Sequence, residues 1–90
     1  MMPKFFEMFC LGDLAIYNSK DTGKLALRPF NLVNSRICVA PASDGYHIIP
    51  SPELVGCLVE IVEDSDPCPW VNFVHLNKGY PVMASELKRL

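Results

Sequence analysis

The sequence predicts an all-β fold, and three features of its 90 residues support this prediction. Short apolar segments alternate with turn-rich segments, apolar residues recur at every second position, and no segment has a long helical period. The chain is 50% hydrophobic and 20% charged, which is a globular composition rather than a disordered one. In so short a chain we expect the strands to curl into a barrel of about five strands, since closure buries a core and protects the sheet edges.

The first predicted strand covers residues 11–17, "LGDLAIY", and begins at a turn formed by Gly12 and Asp13. The next residues, "NSKDTGK", are typical of a loop. Residues 25–52 then predict two or three short strands, with a break at Pro29 and a turn at "NS". Prolines around "YHII" confine that strand to an edge, because proline lacks a backbone donor. We therefore interpret residues 18–53 as a long insertion after the first strand.

The clearest element is "LVGCLVEIVED", which begins at Leu54. Both of its faces are largely apolar, so we expect a central strand, with Gly56 as a bend. "WVNFVHL" predicts the next strand, and "NKG" predicts a hairpin turn in which Gly79 has a positive φ. "YPVMA" predicts the strand that pairs back. "SELKRL" predicts one helical turn capped by Ser85 and then a short final strand.

The first ten residues, "MMPKFFEMFC", are predicted to form an apolar N-terminal arm ahead of a single barrel domain, residues 11–90. Phe5, Phe6 and Phe9 make this arm so apolar that it has to pack on its own barrel or on a neighbouring chain. The sequence leaves both alternatives open. The arm is the best indication in the sequence of an assembly protein.

Charge and hydropathy narrow the range of partners. The net charge is −2, and the basic residues are scattered along the chain, so nucleic acid is not the expected partner. No apolar run approaches the roughly 18–20 residues that span a bilayer, so we expect no membrane partner. We also expect no signal peptide, because Glu7 interrupts the N-terminal apolar run.

No cluster of residues predicts catalysis or a metal site. The four cysteines form no C-x-x-C pair, and we expect buried free thiols, with Cys38 and Cys57 inside strands. His47 and His75 stand apart, with His75 expected on a strand face beside Val71 and Phe73. The acidic cluster lacks the spacing of a calcium loop and predicts a solvated loop: Glu60, Glu63, Asp64 and Asp66. We therefore predict no catalytic residue, no cofactor, no metal and no small-molecule substrate.

The connection "DPCPW" is the best candidate for partner binding within the barrel. Pro67 and Pro69 stiffen the loop, and Trp70 starts the next strand. A rigid loop beside an aromatic side chain loses little entropy when a partner binds. The alternative is that Trp70 plugs the end of the barrel.

The order of these elements resembles that of the small SH3-like barrels. The resemblance rests on the "GDL" opening strand, then "VGCLVEIVED", then "WVNFVHLNKGY", and then "MASEL" before a short last strand. It extends to short proteins encoded by bacteriophages, cyanophages among them. It covers residues 11–17 and 54–90, about half of the chain, and residues 18–53 depart from it.

The resemblance implies a non-enzymatic structural or interaction module. The expected setting is a minor virion component, either capsid decoration or a neck or tail adaptor, in the virion or the host cytoplasm. Its partners would then be other protein chains, as copies of itself or virion proteins. Two alternatives stay open: a nucleic-acid-binding barrel of the SH3-like or KOW-like type, and a small phage inhibitor of a host protein.

Overall fold

Nine short strands form the part of the chain that the computed structural model describes, which comprises residues 9–40, 45–65 and 67–90. In chain order the strands are β1 (Leu14–Tyr17), β2 (Lys24–Leu27), β3 (Phe30–Val33), β4 (Arg36–Val39), β5 (His47–Pro50), β6 (Leu58–Glu63), β7 (Trp70–Phe73), β8 (Lys78–Pro81) and β9 (Leu87–Arg89). One helical turn, α1 (Ser51–Leu54), joins β5 to β6, and a 3₁₀ turn (Ala84–Glu86) precedes β9. The prediction of an all-β fold is confirmed.

The main sheet has five antiparallel strands in the order β8-β7-β6-β1-β9. β6, β7 and β8 follow one another as a meander, and the last strand of the chain returns to pair with the first. β6 is the central strand, as its two apolar faces predict. The register shifts between Ile61 and Glu63, and such a bulge increases the local twist of a sheet.

The hydrophobic core lies against one face of the main sheet, which we call the inner face. Every second residue of β1, β6 and β7 is buried there: Ala15, Tyr17, Val59, Ile61, Val71 and Phe73. The rings of Tyr17 and Phe73 meet edge to face with their centroids 5.4 Å apart. Leu25 and Leu27 of β2 complete this core from the insertion.

The described residues of the insertion between β1 and β6 form four strands, where the sequence predicts two or three. β2 pairs with β5, so that Leu25 lies opposite Ile49. Just past β2, Arg28 exchanges two backbone hydrogen bonds of 2.9 Å with Gly79 of β8. The insertion is thereby attached to the main sheet at β8.

β3 and β4 form a separate two-stranded hairpin. Pro29 separates β2 from β3, and the "NS" turn lies where the sequence predicts it. Asn34 and Ser35 have φ values of 52° and 64°, the pattern of a two-residue type I′ turn. This turn matches the twist of the two strands and sets their register.

The prediction of one strand starting at Leu54 is wrong at its beginning. Leu54 ends α1, Gly56 has a φ of 91° in the following turn, and β6 starts only at Leu58. Proline next to an acidic residue in "SPEL" favours the first turn of a helix over a strand. The helical turn directs Leu54 into the core.

The predicted turn between β7 and β8 is also wrong. β7 ends at Phe73, because the carbonyl of Phe73 accepts hydrogen bonds from the N–H groups of Leu76 and Asn77. Asn77, with a φ of 53°, takes the positive φ that the sequence assigns to Gly79. His75, expected on a strand face, is exposed in the turn.

Gly79 lies inside β8 and has a different role. A Cβ at this position would lie 3.0 Å from two ring carbons of Phe30 and 3.0 Å from the carbonyl oxygen of Val71. The glycine therefore allows the start of the β3–β4 hairpin to pack closely against the main sheet.

The last segment follows the prediction of a helical turn and a short strand, but Ser85 is not its cap. The Glu86 carboxylate caps the turn instead, by accepting a hydrogen bond of 2.9 Å from the Met83 N–H. Its other oxygen accepts one of 2.6 Å from the hydroxyl of Ser19. Glu86 thus joins the C-terminal turn to the start of the insertion.

Candidate partner-binding surfaces

One end of the main sheet gathers the described residues that the sequence predicts for partner binding. Because neighbouring strands are antiparallel, the starts of β1 and β7 lie at the same end as the last residues of β6, β8 and β9. We call this the Trp70 end. Phe9, Pro67, Pro69 and Trp70 all lie there. The predicted Phe5 and Phe6 lie outside the described residues.

The loop from Pro67 to Pro69 is held by hydrogen bonds to the segment that follows β8. The carbonyl of Pro67 accepts from the Ala84 N–H at 3.2 Å, and the carbonyl of Pro69 accepts from the Val82 N–H at 3.1 Å. Pro69 is buried, whereas Pro67 is exposed. This pinned loop presents Pro67 to a partner with little conformational freedom left to lose.

Trp70 lies on the outer face of the main sheet, opposite the core. It pairs with Glu63 of β6 on one side and with Pro81 of β8 on the other. Its neighbour Val71 points inward and is buried, so strand alternation directs Trp70 outward. The indole is half-buried, which leaves part of a large aromatic surface in contact with solvent.

Phe9 packs on its own chain. It is half-buried against the core, and the guanidinium of Arg89 lies 4.4 Å from the centre of its ring. Arg89 Nη1 also lies 4.0 Å from a carboxylate oxygen of Asp13. The Gly12 N–H donates to the carbonyl of Ile61 at 2.8 Å and so fixes the chain as it enters β1. The rest of the predicted arm, residues 1–8, lies outside the described residues.

Leu11 and Met83, which sequence reasoning missed, extend the apolar surface at the Trp70 end. Both expose nearly half of their surface, 49% and 45% respectively. The Cys68 thiol donates a hydrogen bond of 3.3 Å to the sulfur of Met83. The proximity of two residues separated by fifteen positions depends on the loop geometry, so no local pattern indicates it.

The β3–β4 hairpin is a second apolar surface that sequence reasoning missed. Phe30 pairs with Val39 and Leu32 with Ile37, so four apolar side chains share one face. Phe30 and Ile37 are half-buried, while Leu32 and Val39 are exposed. The alternating apolar residues of "FNLV" and "RICV" predict an apolar face on this hairpin. The exposure of that face depends on where the hairpin lies.

A third apolar surface lies on the outer face of the main sheet, across β1 and β6. Leu14, Ile16 and Leu58 form it, with Ile16 directly opposite Leu58. Glu60 lies beside Leu14, and Lys88 lies on the other side of Ile16. We call these three apolar residues with Glu60 the β1–β6 patch.

The reactive side chains are dispersed in the described residues. His47 and His75 are both exposed, and no group of three potential metal ligands occurs among residues 9–40, 45–65 and 67–90. Glu60 and Glu63 belong to β6 rather than to a loop, and Asp66 lies outside the described residues. The cysteines of this part of the chain are free, as expected. The expectation of buried thiols is wrong: Cys10 and Cys38 are exposed, and Cys57 and Cys68 are half-buried. Cys38 lies inside β4 as expected, whereas Cys57 comes just before β6.

Three of the basic residues belong to three different strands. Lys24 starts β2, Arg36 starts β4 beside the hairpin turn, and Lys88 lies in β9 at the edge of the main sheet. Arg28 stacks on the ring of Tyr46, with its guanidinium carbon 5.2 Å from the ring centre. In the described part of the chain, no helix has the length and hydropathy to cross a membrane.

Comparison with protein-family models, with curated proteins and with solved structures gives no match for this chain.

Proposed function

We propose that the chain is a non-enzymatic interaction module built on a small SH3-like barrel. Support for the barrel comes from the order of the elements on which the sequence resemblance rests. The first strand lies beside the central strand, a meander follows, and a helical turn precedes a last strand that returns to the first. The link between Arg28 and Gly79 and the bulge in β6 support a curled rather than a flat sheet.

The exposed apolar surface is the observation that carries the interaction role. Eleven large hydrophobic residues within the described part of the chain expose more than a third of their surface. Seven of them lie on the Trp70 end, the β3–β4 hairpin and the β1–β6 patch: Leu11, Met83, Leu32, Val33, Val39, Leu14 and Leu58. Contiguous apolar patches on a small protein mark sites of contact with other macromolecules.

The Trp70 end is the surface that we propose for a partner of different sequence. It combines a half-buried indole with an exposed proline on a pinned loop, and binding hot spots are enriched in tryptophan. Glu63 lies next to Trp70, and with the exposed Asp64 it gives this end an acidic rim that would orient a basic partner.

We place this module in a bacteriophage particle, as a minor component that decorates the capsid or adapts the neck or tail. The support for this setting is the sequence resemblance to short bacteriophage-encoded proteins. Other virion proteins and further copies of the chain are the proposed partners.

Mass spectrometry of purified particles of the phage that encodes the chain tests this proposal. We expect the chain at a fixed copy number in particles banded to constant composition. Trp70→Ala should weaken incorporation about 30-fold, since an interfacial tryptophan contributes about 2 kcal/mol or more. Pro67→Glu, which changes an exposed side chain, should act in the same direction.

His75→Ala is the matched control, because His75 is exposed in the turn between β7 and β8, at the opposite end of the same sheet. Its incorporation should equal that of the wild type. A chain that is absent from the particles yet abundant in the infected cell would contradict the proposed setting. Equal incorporation of the Trp70, Pro67 and His75 variants would contradict the proposed surface.

A further inference from the structure

We propose that the β3–β4 hairpin is a movable flap, which lies over the outer face of the main sheet and opens without unfolding of the inner core. The proposal concerns the chain by itself and goes beyond partner binding. It follows from the position of the hairpin, from how weakly the hairpin is held and from the groups that it buries.

The hairpin crosses the outer face of the main sheet from β8 to β6. Gly79 lies directly opposite Asn72 of β7, and both neighbours of Asn72 in the strand are buried on the inner face. Strand alternation therefore places Asn72 and Gly79 on the outer face. Phe30, the first residue of β3, packs on Gly79, while β4 lies near β6. The hairpin thus passes over β7 at Asn72.

Val62 is an apolar residue that this cover buries. It is 4% exposed, yet it does not belong to the core on the inner face. The register shift between Ile61 and Glu63 leaves Val62 and Glu63 facing Trp70, which lies on the outer face. Since β4 lies near β6, the hairpin covers Val62 from outside the sheet.

The hairpin is weakly held in this position. Within the described residues its two strands pair only with each other, and a two-stranded hairpin is marginally stable alone in water. Leu32 and Val39 share the apolar face with Phe30, but they still expose 49% and 38% of their surface. The base of the hairpin is fixed, because Arg28 exchanges two backbone hydrogen bonds with Gly79. The two strands beyond this base can therefore move together.

The closed hairpin also leaves a polar atom without a partner. Asn72 Oδ1 is buried and accepts no hydrogen bond, while Asn72 Nδ2 donates one of 3.3 Å to Asn77 Oδ1. A buried acceptor without a partner destabilises the closed form, and water reaches it when the hairpin opens. Glu60, half-buried directly opposite Asn72, would be hydrated by the same movement.

Closure and opening are thus favoured by different groups. Closure buries Val62 and part of Phe30, whereas opening hydrates the Asn72 amide. The opening therefore needs less free energy than unfolding of the whole chain. In the open form the outer face would be uncovered beside Trp70, which lies two residues before Asn72 on the same face of β7. This last consequence rests on the proposed function, whereas the opening itself does not.

Thiol labelling of a Val62→Cys variant measures the opening. Valine and cysteine are similar in size, so the new thiol should stay covered while the flap is closed. Val59→Cys is the matched control, because Val59 is 0% exposed in the inner core. With peptide mapping to separate the native cysteines, we expect position 62 to react at least tenfold faster than position 59 in the absence of denaturant.

Substitutions in the Val62→Cys background test what holds and what opens the flap. Phe30→Ala removes the contact with Gly79 and should raise the labelling rate about tenfold. Asn72→Leu replaces the unpartnered amide by an apolar side chain of similar size and should lower the rate about fivefold. Asn18→Leu is the control: Asn18 is exposed just after β1, and its variant should label at the rate of the parent. The same substitutions should change the labelling of Val59→Cys far less.

Equal labelling rates at positions 62 and 59 would show that the hairpin opens only when the whole fold unfolds, and would refute the flap. Labelling at position 62 as fast as in an unfolded peptide would show that the hairpin does not cover Val62. An Asn72→Leu variant that labels no more slowly than its parent would refute the role of the unpartnered amide. These results concern the free chain and leave the Trp70 end intact as a partner surface. Normal incorporation of Trp70→Ala into particles would, in turn, leave the flap intact.

Discussion

At Gly79 the main sheet and the insertion approach so closely that no side chain fits between them. An added Cβ would lie 3.0 Å from the Phe30 ring and 3.0 Å from the Val71 carbonyl oxygen, and the latter belongs to a paired strand that cannot retreat. Gly79→Ala should therefore lower the free energy of unfolding by about 1–3 kcal/mol. Thermal unfolding should show a fall of about 4–8 °C in Tm for each kcal/mol.

Gly23→Ala is the matched control for this substitution. Its Cβ would lie 3.5 Å from the Asp21 carboxylate, an ordinary contact, so Tm should change little. Phe30→Leu in the Gly79→Ala background should recover part of the loss, since a smaller side chain leaves room for the methyl group. Equal Tm values for the two alanine variants would show that Phe30 does not pack on Gly79.

The prediction for Gly79 from sequence illustrates the limit of local reasoning. "NKG" has the residues of a hairpin turn, but Asn77 tolerates a positive φ and takes that position. The need for a glycine comes from Phe30, which is 49 positions earlier in the chain. A contact between residues so far apart in the chain cannot be predicted from the spacing of neighbouring residues.

At the scale of elements, local pattern located most strands and failed at their ends. Alternating apolar residues identified β1, β6 and β7, and turn residues identified the hairpin turn at Asn34 and Ser35. The boundary errors at Leu54 and at His75 have local causes. At Leu54 a helical turn precedes the strand. At His75 a turn follows β7, although the β-branched and aromatic residues of "WVNFVHL" favour a longer strand. Among the candidate binding surfaces, Pro67 and Trp70 could be proposed from the residues of the "DPCPW" loop. The β1–β6 patch could not, because it depends on which strands become neighbours.

The helical turn α1 ties the insertion to the core through one buried hydrogen bond. Tyr17 and Ser51 are 1% and 0% exposed, and their hydroxyl oxygens are 2.7 Å apart. Tyr17→Phe or Ser51→Ala alone leaves the other hydroxyl without its partner in a buried site, at a cost of about 1–3 kcal/mol. The double variant should lose clearly less than the sum of the two single losses.

Urea unfolding of the four proteins at one protein concentration measures this coupling. The midpoint should shift while the slope stays constant, because the substitutions remove few atoms and leave the fold unchanged. Strictly additive losses would show that the two hydroxyls do not act as a pair.

At the scale of the whole molecule, small size and exposed apolar surface both favour association with other chains. A chain of 90 residues buries only roughly 60–65% of the surface of its unfolded form, so its stability margin is small. The core occupies the inner face of the main sheet, while the β3–β4 hairpin and the β1–β6 patch lie outside it. Association would bury this remaining surface and stabilise the folded state.

Coupling between assembly and stability predicts a melting temperature that depends on protein concentration. Because assembly acts on the folded state and not on the unfolded one, mass action should raise the Tm of the wild type as concentration rises. We expect an increase of about 5 °C or more over a hundredfold range, measured by calorimetry. Leu32→Asp, which places a charge on the exposed apolar face of the β3–β4 hairpin, should melt at a constant and lower temperature across the same range. The Ile48→Asp control should retain the concentration dependence, since Ile48 is exposed on β5, outside the β3–β4 hairpin and the β1–β6 patch. A wild-type Tm that is independent of concentration would mean that the inner core alone determines stability, and that the exposed hairpin stays uncovered in solution.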